Sequence, residues 1–511
     1  MMENLPDGWR WVRLGEVVEF LDHLRKPVNE AEREERIKNK PLNEIYPYYG
    51  ANGQVGWIDD YIFDEELILL AEDGGHFGSK IKPIAYKISG KCWANNHAHV
   101  LRAIKGKVDI DYFHRILSFY DVRPFISGST RPKLNKRKAQ KITIPLPPLP
   151  EQKIIAEILQ RADEIRRKRE RALGMVDEFL RSTFLEMFGD PAMNPKDWDV
   201  VRLGEVCELL YGKRLSSEER DTSKKYAVYG SNGLIGRSDK YFIEKQTIII
   251  GRKGSVGAIT LTEPKSWAID TTFYINMKRP LELLYLCYLL KQINLSKLVI
   301  TSAIPGINRN SIYNIQIPIP SLSHQQAFAR IVDRAEETRS RLKEALTESN
   351  NLFNSLLNQA FTGELTAKWR EAFYAGLRLS EPQGALFSIL KGIPTHELPV
   401  TAVMKYGFLV QEEAGVGLGY AFEPYHYGPF TEEVYRDLDE LESLGMLVQE
   451  EAGSERRIKL NYTGEVEVPD DVKDGVLKVL SEYGGFSLDE LLERVYERYP
   501  EYAERSKRRR R

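Results

Sequence analysis

Internal repetition constrains this chain more than any other feature, because long stretches of it occur twice. Val12 to Val17, reading VRLGEV, returns unchanged at Val201 to Val206, 189 residues on. Tyr49, Gly50, Asn52, Gly53 and Gly56 return as Tyr229, Gly230, Asn232, Gly233 and Gly236 at an offset of 180, and Trp93-Ala94 as Trp267-Ala268 at 174. Ile142 to Lys153 then aligns with Ile315 to Gln326 at 173, and Phe188 with Phe361 again at 173. The offset shrinks through the first part of each repeat and is constant afterwards. Loops of a globular domain accept insertions, whereas one residue added to a packed helix turns everything beyond it by about 100°. Each repeat is therefore a variable globular domain followed by a rod of fixed length.

The rods carry a three-four apolar spacing. Positions 155, 158, 162, 165, 169, 172, 176, 179 and 183 are Ile, Ile, Ala, Ile, Arg, Ala, Val, Phe and Thr, and the same register from Phe328 to Leu356 is Phe, Ile, Ala, Thr, Leu, Ala, Ser, Leu and Leu. Sustained over four heptads, this predicts two long helices packed along a seam as an antiparallel coiled coil. Ile155, Ile158, Ile165, Val176 and Phe179 would line it on one side, and Phe328, Ile331, Leu342, Leu352 and Leu356 on the other. Pro148 and Pro150 mark the start of the first rod, Gly189-Asp190-Pro191 its end, and Thr362-Gly363 the end of the second. Any core-facing helix carries one such stripe. Two of equal length, each after a homologous domain, favour mutual pairing, which would hold the domains at opposite ends of a spacer.

Composition excludes several classes. With 511 residues, 42% hydrophobic and 29% charged, the chain has an ordinary globular mix and length for about three domains. It opens with no basic segment leading into an apolar core, and no stretch approaches the roughly eighteen apolar residues of a membrane span, so a cytoplasmic protein without membrane contact is expected. Cys92, Cys207 and Cys287 are odd in number and scattered, which suits a reducing compartment. The near-neutral total hides local imbalance: residues 1–150 carry +3, residues 198–323 carry +6, and residues 381–511 carry −10 although Lys507 to Arg511 are all basic. A nucleic-acid surface belongs on the first two segments.

Within the globular parts, Leu67 to Ala71 and Thr247 to Ile250 read as short strands, each followed by a glycine loop, Glu72 to Gly78 and Gly251 to Gly257. The second loop lacks the spacing of a phosphate-binding loop and reads as a turn. Its Arg252 and Lys253, with Lys213 and Arg214 upstream, are suited to DNA phosphates or guanine edges, whereas the first copy carries Glu72 and Asp73 there. A denser basic run, Arg131, Lys133, Asn135, Lys136 and Arg137, is matched by Asn308 and Arg309 in the second copy. A solvated charged face is the competing reading of this run. Its position just before the rod favours contact with a nucleic-acid backbone.

The order LPDGW-x-W-V-R-L-G-E-V, Tyr-Gly-x-Asn-Gly-x-x-Gly, a glycine loop, then IPLPPLPEQKxIAxIL and a helix, repeated once, resembles the specificity subunit of type I restriction-modification systems over about residues 5–365. The second copy departs from the pattern at Ser321, Ser323 and His324, where the first has Pro148, Pro150 and Glu151. The resemblance implies that the globular parts are target recognition domains for double-stranded DNA and that the rods are the spacer between them. It also implies two modification subunits, which bind the methyl donor, and restriction subunits as partners. The target would then be bipartite and non-palindromic.

Catalytic signals are missing: there is no Asn/Asp-Pro-Pro-Tyr/Phe methylase motif and no glycine fingerprint for a methyl donor. Asp471-Val472-Lys473 has the Asp-x-Lys of many nucleases without a supporting acid, and Cys92, His97 and His99 lack a fourth metal ligand. A chain with no metal, no cofactor of its own and no catalytic residue is expected.

Beyond Trp369 the resemblance stops. Leu386 to Ile389, Val400 to Val410 and Glu432 to Leu447 read as helices, Gly415 to Phe422 as a hairpin, and Gln449 to Leu460 as a strand pair turning at Gly453-Ser454. Helices followed by such a wing suggest a winged-helix arrangement, and Phe422 to Tyr435 weakly resembles uncharacterised winged-helix-like proteins found near defence genes. Its acidity favours protein binding over DNA. The expected class is α+β: two repeated α/β recognition domains (1–150 and 190–323), two long antiparallel helices (151–189 and 324–365), and a winged-helix-like module (381–511). A non-enzymatic scaffold or regulator of a defence system is the alternative.

Overall fold

A computed structural model describes residues 5–79, 82–128, 130–293, 295–298, 306–452 and 455–505. Gly453-Ser454 and Lys507 to Arg511 lie outside them. The chain divides into two compact units, one of residues 1–165 with 349–511 and one of residues 166–348. The division falls within the long helices, not at their ends.

In the first unit, a four-stranded antiparallel sheet runs in the order Val18–Phe20, Ala98–Ala103, Leu67–Ala71, Ala85–Ile88. A second sheet orders Gly53–Ile58, Tyr46–Gly50, Lys91–Ala94 and Phe63–Asp64, with Tyr48 beside Trp93 in its one parallel pairing. Arg10–Arg13 pairs with Thr143–Leu146, tying the start of the domain to its end. The second unit repeats this plan. Cys207–Tyr211, Thr272–Met277, Ile248–Gly251 and Ile259–Leu261 form the first sheet, Gly233–Ser238, Tyr226–Gly230 and Trp267–Ala268 the second, and Asp199–Arg202 pairs with Gln316–Ile319. The repeated Tyr-Gly-x-Asn-Gly stretch is in each case a tight hairpin with a register shift, between Tyr48 and Tyr49 and between Val228 and Tyr229.

The Leu-Gly-Glu-Val of the repeated VRLGEV is one helical turn that follows directly on a strand. Glu16 accepts from the Arg13 amide at 3.0 Å and Glu205 from the Arg202 amide at 3.1 Å, while the Leu14 and Leu203 amides reach the Ile142 and Ile315 carbonyls. The glutamine of the proline-rich segment explains the constancy of that stretch. Gln152 accepts from the Asp109 amide and donates to the Pro147 carbonyl, each at 2.7 Å, and Gln325 does the same with Glu282 and Pro320. Two backbone groups that proline and a helix start leave unpaired are thus satisfied by one buried side chain.

The rods are helices of 40 and 41 residues, Leu149–Phe188 and Leu322–Thr362. The substitution of Ser321, Ser323 and His324 does not move the helix start, since Leu322 corresponds to Leu149. Within the first unit Ile155, Ala156 and Leu159 share a core with Phe353, Leu357 and Ala360. Within the second, Val176, Leu180, Phe184 and Phe188 share a core with Phe328, Val332 and Ala335. In each unit the early turns of one helix meet the late turns of the other.

The seam differs from the expected one in phase. Ile155, Val176 and Phe328 are buried as expected, and Ile158, Ile331, Leu342 and Leu356 are half-buried, but Ile165, Phe179 and Leu352 are exposed. The buried residues are their neighbours Arg166, Leu180 and Phe353. The helices turn inward at four-then-three spacing, not three-then-four, which leaves every second expected position one residue early. Arg169 lies on the seam and donates to the Ala345 carbonyl at 2.6 Å.

The segment after the second rod belongs to the first unit. Glu381–Gly392, Val400–Glu412 and Glu433–Ser443 are helices, and Glu397–Pro399, Glu455–Leu460 and Leu447–Ala452 form a sheet in that order. The expected hairpin at Gly415 to Phe422 has no strand; the hairpin lies just beyond, Glu423–Tyr425 with Gly428–Phe430, where positive φ at Gly428 permits the turn. The expected helix Glu432 to Leu447 stops at Ser443 because Gly445 takes a left-handed conformation. Asp471-Val472-Lys473 opens the helix Asp470–Tyr483, with Lys473 close to Asp470 at 3.4 Å. Glu151 is wholly buried at the base of this segment, accepting from Trp9 Nε1 at 2.8 Å, Thr366 Oγ1 at 2.5 Å and Arg370 Nη1 at 3.1 Å. Burial pushes its carboxyl upward against these three donors. Its counterpart His324 packs against Trp198 instead.

Candidate nucleic-acid interface

In both repeats the loop after the central strand meets the segment just before the rod. The Leu134 amide donates to the Glu72 carbonyl at 2.7 Å and the Ile307 amide to the Arg252 carbonyl at 3.3 Å, with single bridges between Asp73 and Lys133 and between Lys253 and Gly306. This shared frame gathers most of the basic residues singled out in the sequence, and it carries different side chains in the two copies.

In the second unit the frame is cationic. Arg252 lies over the Tyr211 ring at 5.0 Å and donates to the Asp270 carbonyl at 3.0 Å, and Arg309 lies over the same ring at 5.5 Å. One tyrosine ring thus supports two guanidinium groups. Lys213 sits over Phe242 at 4.6 Å while its carbonyl accepts from Trp267 Nε1 at 2.8 Å. Arg214 and Lys253 are exposed.

In the first unit the cations are ion-paired. Lys133 meets Glu72 at 3.0 Å and Arg131 meets Asp73 at 3.1 Å, whereas Lys136 lies over Phe20 at 5.7 Å and Arg137 is exposed. Asn135 and Asn308 cap the short helices that follow them, accepting from the Lys138 and Asn310 amides. Trp93 Nε1 donates to the Lys26 carbonyl at 2.6 Å, as Trp267 does to Lys213. Lys26 is therefore the equivalent of Lys213, a cation that sequence reasoning missed. The aligned Trp93 and Trp267 were the available signal, but loop insertions hide the pairing of the lysines.

Beneath this frame lies a buried polar network. His99 has both ring nitrogens against acceptors, Asp22 Oδ2 at 2.7 Å and the Leu134 carbonyl at 2.8 Å, an arrangement satisfied by a ring that donates from both. Burial alone would raise the Asp22 carboxyl, but the His99 hydrogen bond, the His99 and Arg25 charges and the Val100 amide outweigh it and hold it below the usual carboxylate range. Glu72 is held low in the same way, burial being overcome by Arg25 at 2.7 Å and Lys133. Cys92 is buried and burial pushes its thiol up to about 12, far from thiolate chemistry. Cys92, His97 and His99 do not converge, and among the described residues no three His, Cys, Asp or Glu side chains form a metal-binding group. Among the same residues no helix is long and apolar enough to cross a membrane.

The model of the type I restriction modification DNA specificity domain matches residues 6–173 and again residues 195–349. The chain belongs to this family. The two matches coincide with the two repeats, and residues after 349 fall outside them. Among related specificity subunits, that of a Haemophilus influenzae type I restriction enzyme is 27% identical over 367 residues, covering 68% of this chain and 92% of that protein. The MjaVIII specificity subunit of Methanocaldococcus jannaschii is 24% identical over 71% of this chain and 95% of its own. The EcoDI specificity subunit of Escherichia coli is 23% identical over 72% and 91%. The crystal structure of the type I restriction-modification S subunit from M. genitalium shares the fold, with a TM-score of 0.50 and 17% identity over 71% of this chain and 98% of that one.

Proposed function

We propose that this specificity subunit reads a bipartite, non-palindromic DNA target, one part with each globular domain, and that the two long helices set the number of unread base pairs between them. The observation that carries this reading is the pairing of family membership across both repeats with helices that keep a constant offset while the domains diverge. Lys133, Lys136 and Arg137 of the first domain and Lys213, Arg214, Arg252, Lys253 and Arg309 of the second supply phosphate and base contacts. Asn135 and Asn308 hold the short helices from which some of these cations project. The chain itself is non-catalytic. Methyl transfer from a methyl donor belongs to modification subunits, two of them, and cleavage to restriction subunits, all docking on this scaffold in the cytoplasm.

Helix, strand and helix, then a small hairpin, a third helix and a strand pair over residues 381–460, support a winged-helix reading of the C-terminal module. Its helix Glu433–Ser443 carries Glu433, Asp437, Asp439, Glu440 and Glu442 against Arg436 alone, a poor match to phosphate. The module serves as a protein-binding or regulatory domain.

Deleting one heptad from each long helix removes about 10 Å, close to three base pairs. Sequencing of methylated adenines in cells carrying the whole system should then show unchanged half-sites with a gap about three base pairs shorter. An unaltered gap would refute the spacer role.

A further inference from the structure

The first repeat keeps the backbone frame of the second after its central strand but carries Glu72 and Asp73 where the second has Arg252 and Lys253. The Asp73 side chain is only 11% exposed, and both of its oxygens are engaged. Oδ1 lies 2.6 Å from His97 Nδ1, and Oδ2 accepts from Arg131 Nη2 at 3.1 Å. The side chains it holds are open, His97 being 43% and Arg131 72% exposed. The aspartate is itself fixed: its backbone bridges to Lys133, its amide reaches the His97 carbonyl, and the preceding Glu72 is clasped by Arg25 and Lys133. The His97 amide in turn donates to Asn95 Oδ1 at 2.8 Å, which fixes the backbone on the other side.

An ionised carboxylate only accepts, so His97 Nδ1 is the donor to Asp73, and a ring carrying that single proton has Nε2 as an acceptor. Arg131 keeps the rest of its planar fork of donors after giving one to Asp73. A nearly buried group thus sets an acceptor and a donor fork side by side on an exposed surface. In the major groove a single acceptor matches the amino group of adenine or cytosine, and a guanidinium fork matches O6 and N7 of guanine. The second repeat cannot use this device, because Lys253 stands in place of Asp73 and Thr271 in place of His97, as the shared backbone bonds of the two loops show.

We propose that His97 and Arg131 are a base-reading pair of the first recognition domain, with Asp73 as their positioning residue, so that its half-site contains a guanine read by Arg131 beside an amino-bearing base read by His97. This rests on the reading of the first repeat as a DNA-recognition domain.

The test uses the complete restriction-modification complex carrying Arg131→Ala, His97→Ala or Asp73→Asn, with methylated adenines sequenced in cells and binding measured on target and random duplexes. Arg131→Ala should lower discrimination at one guanine by at least about fivefold, His97→Ala at a different position of the same half-site, and Asp73→Asn at both, leaving the other half-site intact. Arg131 and His97 are surface side chains, so their variants remain interpretable even if Asp73→Asn does not fold. An unchanged motif with Arg131→Ala and His97→Ala, or uniform weakening on target and random DNA alike, overturns the proposal while leaving the recognition reading intact. A wild-type complex with no sequence preference at all would overturn both.

Discussion

Single residues in this protein act through how completely their polar groups are satisfied. Lys405 is the sharpest case: it is buried in the C-terminal module with the Pro429 carbonyl as its hydrogen-bond acceptor at 2.5 Å, and no described carboxylate forms an ion pair with it. Burial alone pushes its amine down to about 7. An unfolded lysine titrates near 10.4, so between those values the unfolded chain holds the extra proton and stability must rise with pH. Urea unfolding of the full chain should show the C-terminal transition gaining up to about 1.4 kcal/mol per pH unit between pH 7 and 9. Lys405→Met should abolish that slope; an equal slope in the variant would show that the proton is taken up elsewhere. The slope has the same sign at Asp22 and Glu72, but there the depressed carboxyls contribute stability above the ordinary carboxylate range, and it is lost as pH falls through their lowered values.

At the scale of elements, the two rods show what a periodic pattern can and cannot settle. The length, number and limits of the helices are legible from prolines, glycines and the three-four repeat. Their phase is not, because Ile165 and Phe179 look as apolar as Leu159 and Leu180, and only the facing helix decides which side is covered. The expected stripe is right at Ile155, Val176 and Phe328 and one residue early at 165, 179 and 352. Leu180→Ala should destabilise the second unit by about 2–5 kcal/mol by opening a cavity, whereas Phe179→Ala should stay within about 0.5 kcal/mol. Equal effects in urea unfolding would place the seam where the sequence alone suggests. The same limit explains Arg166, whose charge predicts exposure and which the structure buries.

At the scale of the molecule, the segment after the second rod is part of the first unit. Gly8 donates to the Asn461 carbonyl at 3.2 Å, Thr463 binds Asp7 through its amide at 3.0 Å, and Arg10 pairs with Glu442 at 3.1 Å. The backbones come close enough that a side chain at Gly445, with φ of +73°, would stand 2.4 Å from Pro148 Cγ and 2.7 Å from the Gly8 carbonyl. Gly445→Ala combines that clash with left-handed strain and should weaken docking by about 1–3 kcal/mol. Limited proteolysis should then release a C-terminal fragment faster than from the wild type; equal rates would mean that the contact contributes little. Nothing in the sequence announces this docking, because its partners are backbone groups and residues far apart along the chain.

What the sequence determined unaided is whatever repeats: two copies of one domain, two helices of nearly one length, and the glycine turns. Repetition exposes these because the same local chemistry must be satisfied twice. What only the tertiary structure decided is partnership, namely which face of each rod is covered, that Lys26 stands where Lys213 does, and that Asp73 holds His97 and Arg131. Those outcomes depend on which groups arrive within about 3 Å of one another, a distance that chain order does not encode.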